Sequence, residues 1–163
     1  MSRPQAGAAY VETMARTIGY RSLLAPLADN AVTDQALDVA CRLAAEHRAS
    51  ITAVAVIEVP QVLPLKAHMV EEEARARLLL RRAENVADSY GVYVVGRVVR
   101  GREAGEVLAE EAAARHVDLV VVGARRHGRK PFGHTVETIL RKSPSRVLVI
   151  APPAEAVSSR AAA

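Results

Sequence analysis

Ile51-Thr-Ala-Val-Ala-Val-Ile-Glu58 is an almost unbroken apolar run, interrupted only by Thr52 and ended by a carboxylate. A strand with one face in water alternates apolar and polar residues. A run without that alternation suits a strand covered on both faces, which is the habit of parallel sheets whose crossover helices lie above and below. On either side of it, strand and helix signals alternate along the chain.

Upstream, Tyr20 to Leu27 reads as a strand that finishes at Pro26, where a missing N–H is tolerated because the ladder is ending. Asp29 and Asn30 make a turn, and Thr33 is the expected N-cap of a helix running to about Arg48. That helix carries Leu37, Ala40, Cys41 and Ala44 at i, i+3, i+4 and i+7. Downstream, a proline-marked connection leads to a long amphipathic helix from about Met69 to Tyr90, with Ala76, Leu79, Leu80, Ala83, Val86 and Tyr90 on its buried stripe. Glu71 with Arg75, and Glu73 with Arg77, are spaced as helix-supporting ion pairs on a solvated face.

Gly91 ends that helix, and Val92 to Val99 follows as a strand whose Gly96 and Arg97 mark a sheet edge. Ala104 to about His116 is the third helix, Asp118 to Val122 the fourth strand, Val136 to Lys142 the core of the fourth helix, and Arg146 to Ile150 the last strand, stopped by Pro152 and Pro153. Five strands alternating with helices predict an α/β fold: a doubly wound, five-stranded parallel sheet with helices on both faces. Periodicity alone does not order parallel strands. With the edge-like third strand outermost, and with the arrangement common in doubly wound folds, the expected order is 3-2-1-4-5. One domain over residues 20–153 is expected, preceded by an extension (1–19) with the pattern of a short amphipathic helix and followed by a flexible tail (154–163).

Composition narrows the function classes. Hydrophobic residues make up 50% of the 163 but aromatics only 3%, with no Trp, so the core is built from Val, Leu, Ile and Ala. The net charge of +4 comes from 22 basic and 18 acidic residues, a mixed surface rather than a polycation. Without stacking aromatics or a recognisable module, nucleic acid is not an expected partner. No apolar run is long enough to span a membrane, so membrane insertion is not expected, and the lone Cys41 suits a reducing cytoplasm.

In an open parallel sheet the ligand crevice lies beyond the strand ends where the order reverses, here between the first and fourth strands. Its borders are Ala28 to Ala31 and Gly123 to Phe132. The second loop combines glycines (Gly123, Gly128, Gly133), basic side chains (Arg125, Arg126, Arg129, Lys130) and a helix starting near His134 whose first N–H groups are free, all suited to an anion. The same features also describe a solvated basic loop whose glycines only turn the chain. An enzyme is not expected: His127 and His134 have no Ser, Cys or carboxylate partner at motif spacing, and Cys41 lies on an apolar stripe.

Val121-Val-Gly123, the glycine loop, Gly133-His-Thr-Val-Glu-Thr-Ile-Leu140 and Ser143-Pro-Ser-Arg-Val-Leu-Val-Ile150 resemble the C-terminal signature of the universal stress protein (UspA-like) family. With Leu24-Ala-Pro-Leu27 the resemblance spans roughly Tyr20 to Pro152. Val56 to Leu65 and Phe132-Gly-His-Thr-Val-Glu137 are similar in particular to stress-protein domains attached to transporters. The resemblance implies a homodimer, expected through the last strand with Val147 and Val149 toward the partner, and adds a membrane transporter as a candidate partner. It also implies ATP or another adenine nucleotide as ligand in some members and none in others, so no cofactor is required.

Nucleotide-binding members carry G-x2-G-x9-G-[ST] after the fourth strand and an Asp after the first. Here Gly123 and Gly133 match the first and third glycines, Arg126 stands at the second, nine residues separate Gly123 from Gly133, and His134, followed by Thr135, stands at the Ser/Thr position. Ala28 takes the Asp position, with Asp29 adjacent. The expected site is therefore Gly123, Arg125, Arg126, Gly133, His134 and Thr135 at phosphate, with arginine side chains replacing a glycine cradle, and Asp29 near the ribose. A ligand-free dimeric module acting through protein contacts is the alternative.

Overall fold

The computed structural model describes residues 19–126, 129–130 and 132–153. The expectations for the N-terminal extension up to residue 18, for the 154–163 tail, and for His127 and Gly128 lie outside the described residues. Strands and helices alternate as β1 (Ser22–Leu27), α1 (Ala31–His47), β2 (Ser50–Glu58), α2 (Val70–Ser89), β3 (Val94–Gly101), α3 (Ala104–Ala114), β4 (Leu119–Gly123), α4 (His134–Lys142) and β5 (Arg146–Ile150). All strand pairs are parallel and the order is β3-β2-β1-β4-β5, as expected.

The apolar run that begins at Ile51 explains the layering. On β2, Ile51 and Ala53 join a core with Leu37, Ala40 and Cys41 of α1 and Ala83 and Ala87 of α2. Val54, pointing the other way, joins Leu108 and Ala112 of α3 and Val136 and Ile139 of α4. Alternate residues of one strand thus feed two cores, α1 and α2 on one face and α3 and α4 on the other. Ala55, Ile57 and Ala76 extend the first face toward the carboxyl end of β2.

Several local expectations are corrected. Asn30, not Thr33, is the N-cap of α1: its backbone is extended and its Oδ1 accepts from the Thr33 N–H at 3.0 Å, so Thr33 sits one turn inside the helix. The strand expected from Asp118 starts at Leu119, because the Asp118 carboxylate accepts from the Arg21 and Ser22 N–H groups at 2.8 and 3.1 Å and closes the start of β1. The pairs expected along α2 are not formed among the described residues. Glu73 instead reaches across to Arg100 on β3 and also accepts from the Met69 N–H. The Met69 N–H holds the Glu73 carboxyl below its usual range, with partial desolvation opposing and Arg100 adding to the effect.

Gly91, with φ +66, supplies the left-handed residue that lets the chain leave α2 and turn into β3. β3 is the outermost strand, and Arg97 is paired with Glu111 of α3 at 3.2 Å. At the other edge, Val147 and Val149 of β5 are half-buried and pack on the α3–α4 core. Cys41 is buried in the α1 core, and burial, with the Asp38 charge adding, pushes its thiol up to about 11. The thiol is therefore protonated at neutral pH, as a core residue rather than a nucleophile.

Candidate functional site

A cleft of about 550 Å³ opens at the carboxyl ends of β1, β2 and β4. It lies at the β1–β4 junction, where the order reverses and the sheet leaves a crevice between its neighbouring loops. Ala28, Val122 and Gly123 come from the strand ends, Ala55 and Ile57 from β2, and Ala76 and Leu79 from α2. Gly133, His134, Thr135 and Val136 bring the start of α4. The volume and the mostly aliphatic lining are those of a small-molecule pocket.

The first turns of all four helices border it, and at two of them, α1 and α3, a side chain takes up an N–H. The Thr33 N–H of α1 is taken by Asn30, and the Ala104 N–H of α3 by Glu58 Oε1 at 2.8 Å. The start of α4 has Gly133 as N-cap with no side-chain cap. Its first N–H groups are therefore donors open to an anion, reinforced by the helix dipole. Arg125 lines the same cleft.

Gly123 has a role that differs from the one its position in the loop suggested. A Cβ built there would lie 2.7 Å from the Val32 carbonyl oxygen and 2.9 Å from its carbon. The close approach this glycine permits is that of the first turn of α1, while its own backbone still lines the cleft. Gly105 does the same between α3 and α4, where a Cβ would lie 2.7 Å from Thr138 Cβ and 2.9 Å from the Thr135 carbonyl oxygen. The starts of α1 and α4 are therefore positioned by glycine contacts.

Of the residues expected at the site, the fold brings Gly123, Arg125, Gly133, His134 and Thr135 together around the cleft. Asp29 and Arg126 do not line it. The Asp29 carboxylate accepts from Arg82 of α2 at 3.2 Å, and Arg126 Nε donates to the Pro152 carbonyl at 2.9 Å. His134 does have a carboxylate partner, Glu103, 3.2 Å from its Nε2; both side chains are exposed. No motif spacing shows that pair, since 31 residues separate its members.

Asn30, within the expected border Ala28 to Ala31, lines the cleft, while sequence reasoning missed Glu58, Glu72 and Arg75, which line it too. A signal for the last two was present. Glu72, Arg75, Ala76 and Leu79 stand at i, i+3, i+4 and i+7, so the apolar stripe of α2 continues into two charged residues on the same face. Among the described residues there is no group of three metal-ligating side chains, and no helix is long and apolar enough to cross a membrane.

The Universal stress protein family model matches residues 19–151, which is most of the chain. The chain belongs to the universal stress protein family. This universal stress protein is similar in fold to universal stress protein UspA from Lactobacillus plantarum, with a TM-score of 0.67 at 22% identity, covering 80% of this chain and 97% of that one. The universal stress protein from Archaeoglobus fulgidus in complex with dAMP matches with a TM-score of 0.67 at 14% identity, covering 82% and 99%. A universal stress protein family protein from Arabidopsis thaliana with AMP bound matches at 0.63 and 13% identity, covering 83% and 94%. Among curated proteins none matches significantly.

Proposed function

We propose that this universal stress protein binds an adenine nucleotide in the β1–β4 cleft. The observation that carries the reading is the pairing, in one cleft, of the uncapped start of α4 with Arg125 at one end and an aliphatic slot at the other. The phosphate is assigned to the N–H groups of the first α4 turn, beside Gly133, His134 and Thr135, with Arg125 adding charge-assisted hydrogen bonds. The base takes the slot formed by Ala55, Ile57, Ala76 and Leu79. Structural neighbours solved with dAMP and with AMP support the same ligand class. Asp29 and Arg126 enter this reading as supports of the rim, through Arg82 and Pro152, rather than as ligand contacts.

The test is calorimetric titration with AMP and ATP. Heat of binding is expected for the intact protein, and Arg125→Ala is expected to weaken it about ten-fold or more, the scale of a lost hydrogen bond to a charged group. No heat from either nucleotide at millimolar concentration contradicts the reading and favours the ligand-free regulatory module, acting through protein contacts.

A further inference from the structure

Resting on the nucleotide reading above, we propose that Glu72 selects a ribose-bearing ligand by accepting hydrogen bonds from the sugar hydroxyls. The wall that carries it lies across the sheet from α4: α2 packs on the α1 side of the sheet, and its first turns reach over the carboxyl end of β2 into the cleft. On that wall Glu72 and Arg75 stand on the same helix face as Ala76, which is buried, and Leu79, which is half-buried and lines the cleft. The stripe thus changes from aliphatic to charged as it leaves the core and enters the cleft.

An inventory of acceptors singles out Glu72. The carboxylates lining the cleft are Glu58 and Glu72. Glu58 is engaged by the Ala104 N–H at 2.8 Å, where it caps α3. Glu73, next along the chain, is turned to Arg100 and the Met69 N–H. Asp29 is held by Arg82 outside the lining. Glu72 is half-buried and, among the described residues, makes neither a hydrogen bond nor an ion pair. An ionised carboxylate accepts only, so what it faces in a ligand must donate.

A phosphate is not that group, because two anions repel. With the phosphate assigned to the α4 start, the hydroxyls of the sugar, lying between phosphate and base, are the donors assigned to Glu72. Arg75, one turn along and also without an ion-pair partner among the described residues, adds a donor and a positive charge at the same wall. The charged turn of α2 is thereby given a partner that the expected helix-surface pairs do not supply.

The test compares AMP with 2′,3′-dideoxy-AMP by calorimetry on the full chain. The intact protein is expected to bind AMP about ten-fold or more tightly than the dideoxy analogue, since a site built to bond a hydroxyl rejects the ligand lacking it. Glu72→Ala is expected to bind the two alike. The discrimination is the readout, because removing a carboxylate also relieves repulsion of the phosphate and shifts overall affinity. Thermal unfolding of the variant at the temperature of the intact protein checks that the fold is kept. Equal binding of both ligands by the intact protein, or discrimination surviving in Glu72→Ala, overturns the assignment and leaves the nucleotide reading standing. A Glu72-dependent preference for AMP over inosine monophosphate without sugar discrimination overturns it in favour of the base amine. Binding of none of these nucleotides by the intact protein removes the nucleotide reading and this assignment together.

Discussion

Ile51→Ala is expected to lower folding stability by about 3 to 4 kcal/mol, read as a fall in the urea midpoint at unchanged slope. Ile51 is fully buried, on a strand with neighbours on both sides, in register with Leu23 of β1 and Val94 of β3. Its N–H donates to the Tyr93 carbonyl at 3.0 Å, so the backbone around it is held and the space left by the side chain does not close. The removed atoms take with them contacts to the α1 and α2 side chains that cover this face. A loss under about 1 kcal/mol would mean that the face is loosely packed, contrary to the two-sided burial inferred from the apolar run.

Gly123→Ala is expected to cost about 2 to 3 kcal/mol in the absence of any ligand. The atoms its new methyl group meets are the Val32 carbonyl oxygen and carbon, 2.7 and 2.9 Å away, which are backbone and not the yielding end of a side chain. Relief requires the first turn of α1 to move off β4, disturbing the Asn30 cap on Thr33. Denaturation of the unliganded variant separates two roles for this glycine. If its only task were to admit a ligand, the unliganded stability would equal that of the intact protein, and that result would contradict the packing role.

The sheet was legible because its signals are local. Apolar runs such as Leu119 to Val122, glycine at the end of α2, and prolines after β5 each speak for themselves within a few residues. The order was legible only in part: the charged, glycine-broken β3 marks an edge, while the places of the other strands rest on the arrangement common in doubly wound folds. Thr33 was taken for the cap because Asn and Thr have similar N-cap preference, and only the geometry of the first turn decides between them.

The site was legible in part for the same reason. Gly133, His134, Thr135 and Arg125 fall at the cleft because a strand-to-helix loop puts them there in any doubly wound fold. Asp29 and Arg126 look equally placed in sequence, yet their side chains are engaged by partners 53 and 26 residues away. Such pairings have no local signature. The charged turn of α2 was read as a solvated face because ion-pair spacing is the usual reason for Glu and Arg to alternate on a helix. Its continuation of the apolar stripe was the observation that pointed the other way.

An amide-resolved NMR titration of the protein with AMP tests whether the β1–β4 cleft holds a nucleotide. Saturable shifts are expected at the amides of Gly133, His134, Thr135 and Val136, whose N–H groups begin the uncapped helix, with smaller shifts at Ala28 and Gly123 across the cleft. A spectrum unchanged by AMP, or shifts confined to the β3 edge away from the α4 start, would contradict the placement of a nucleotide in this cleft.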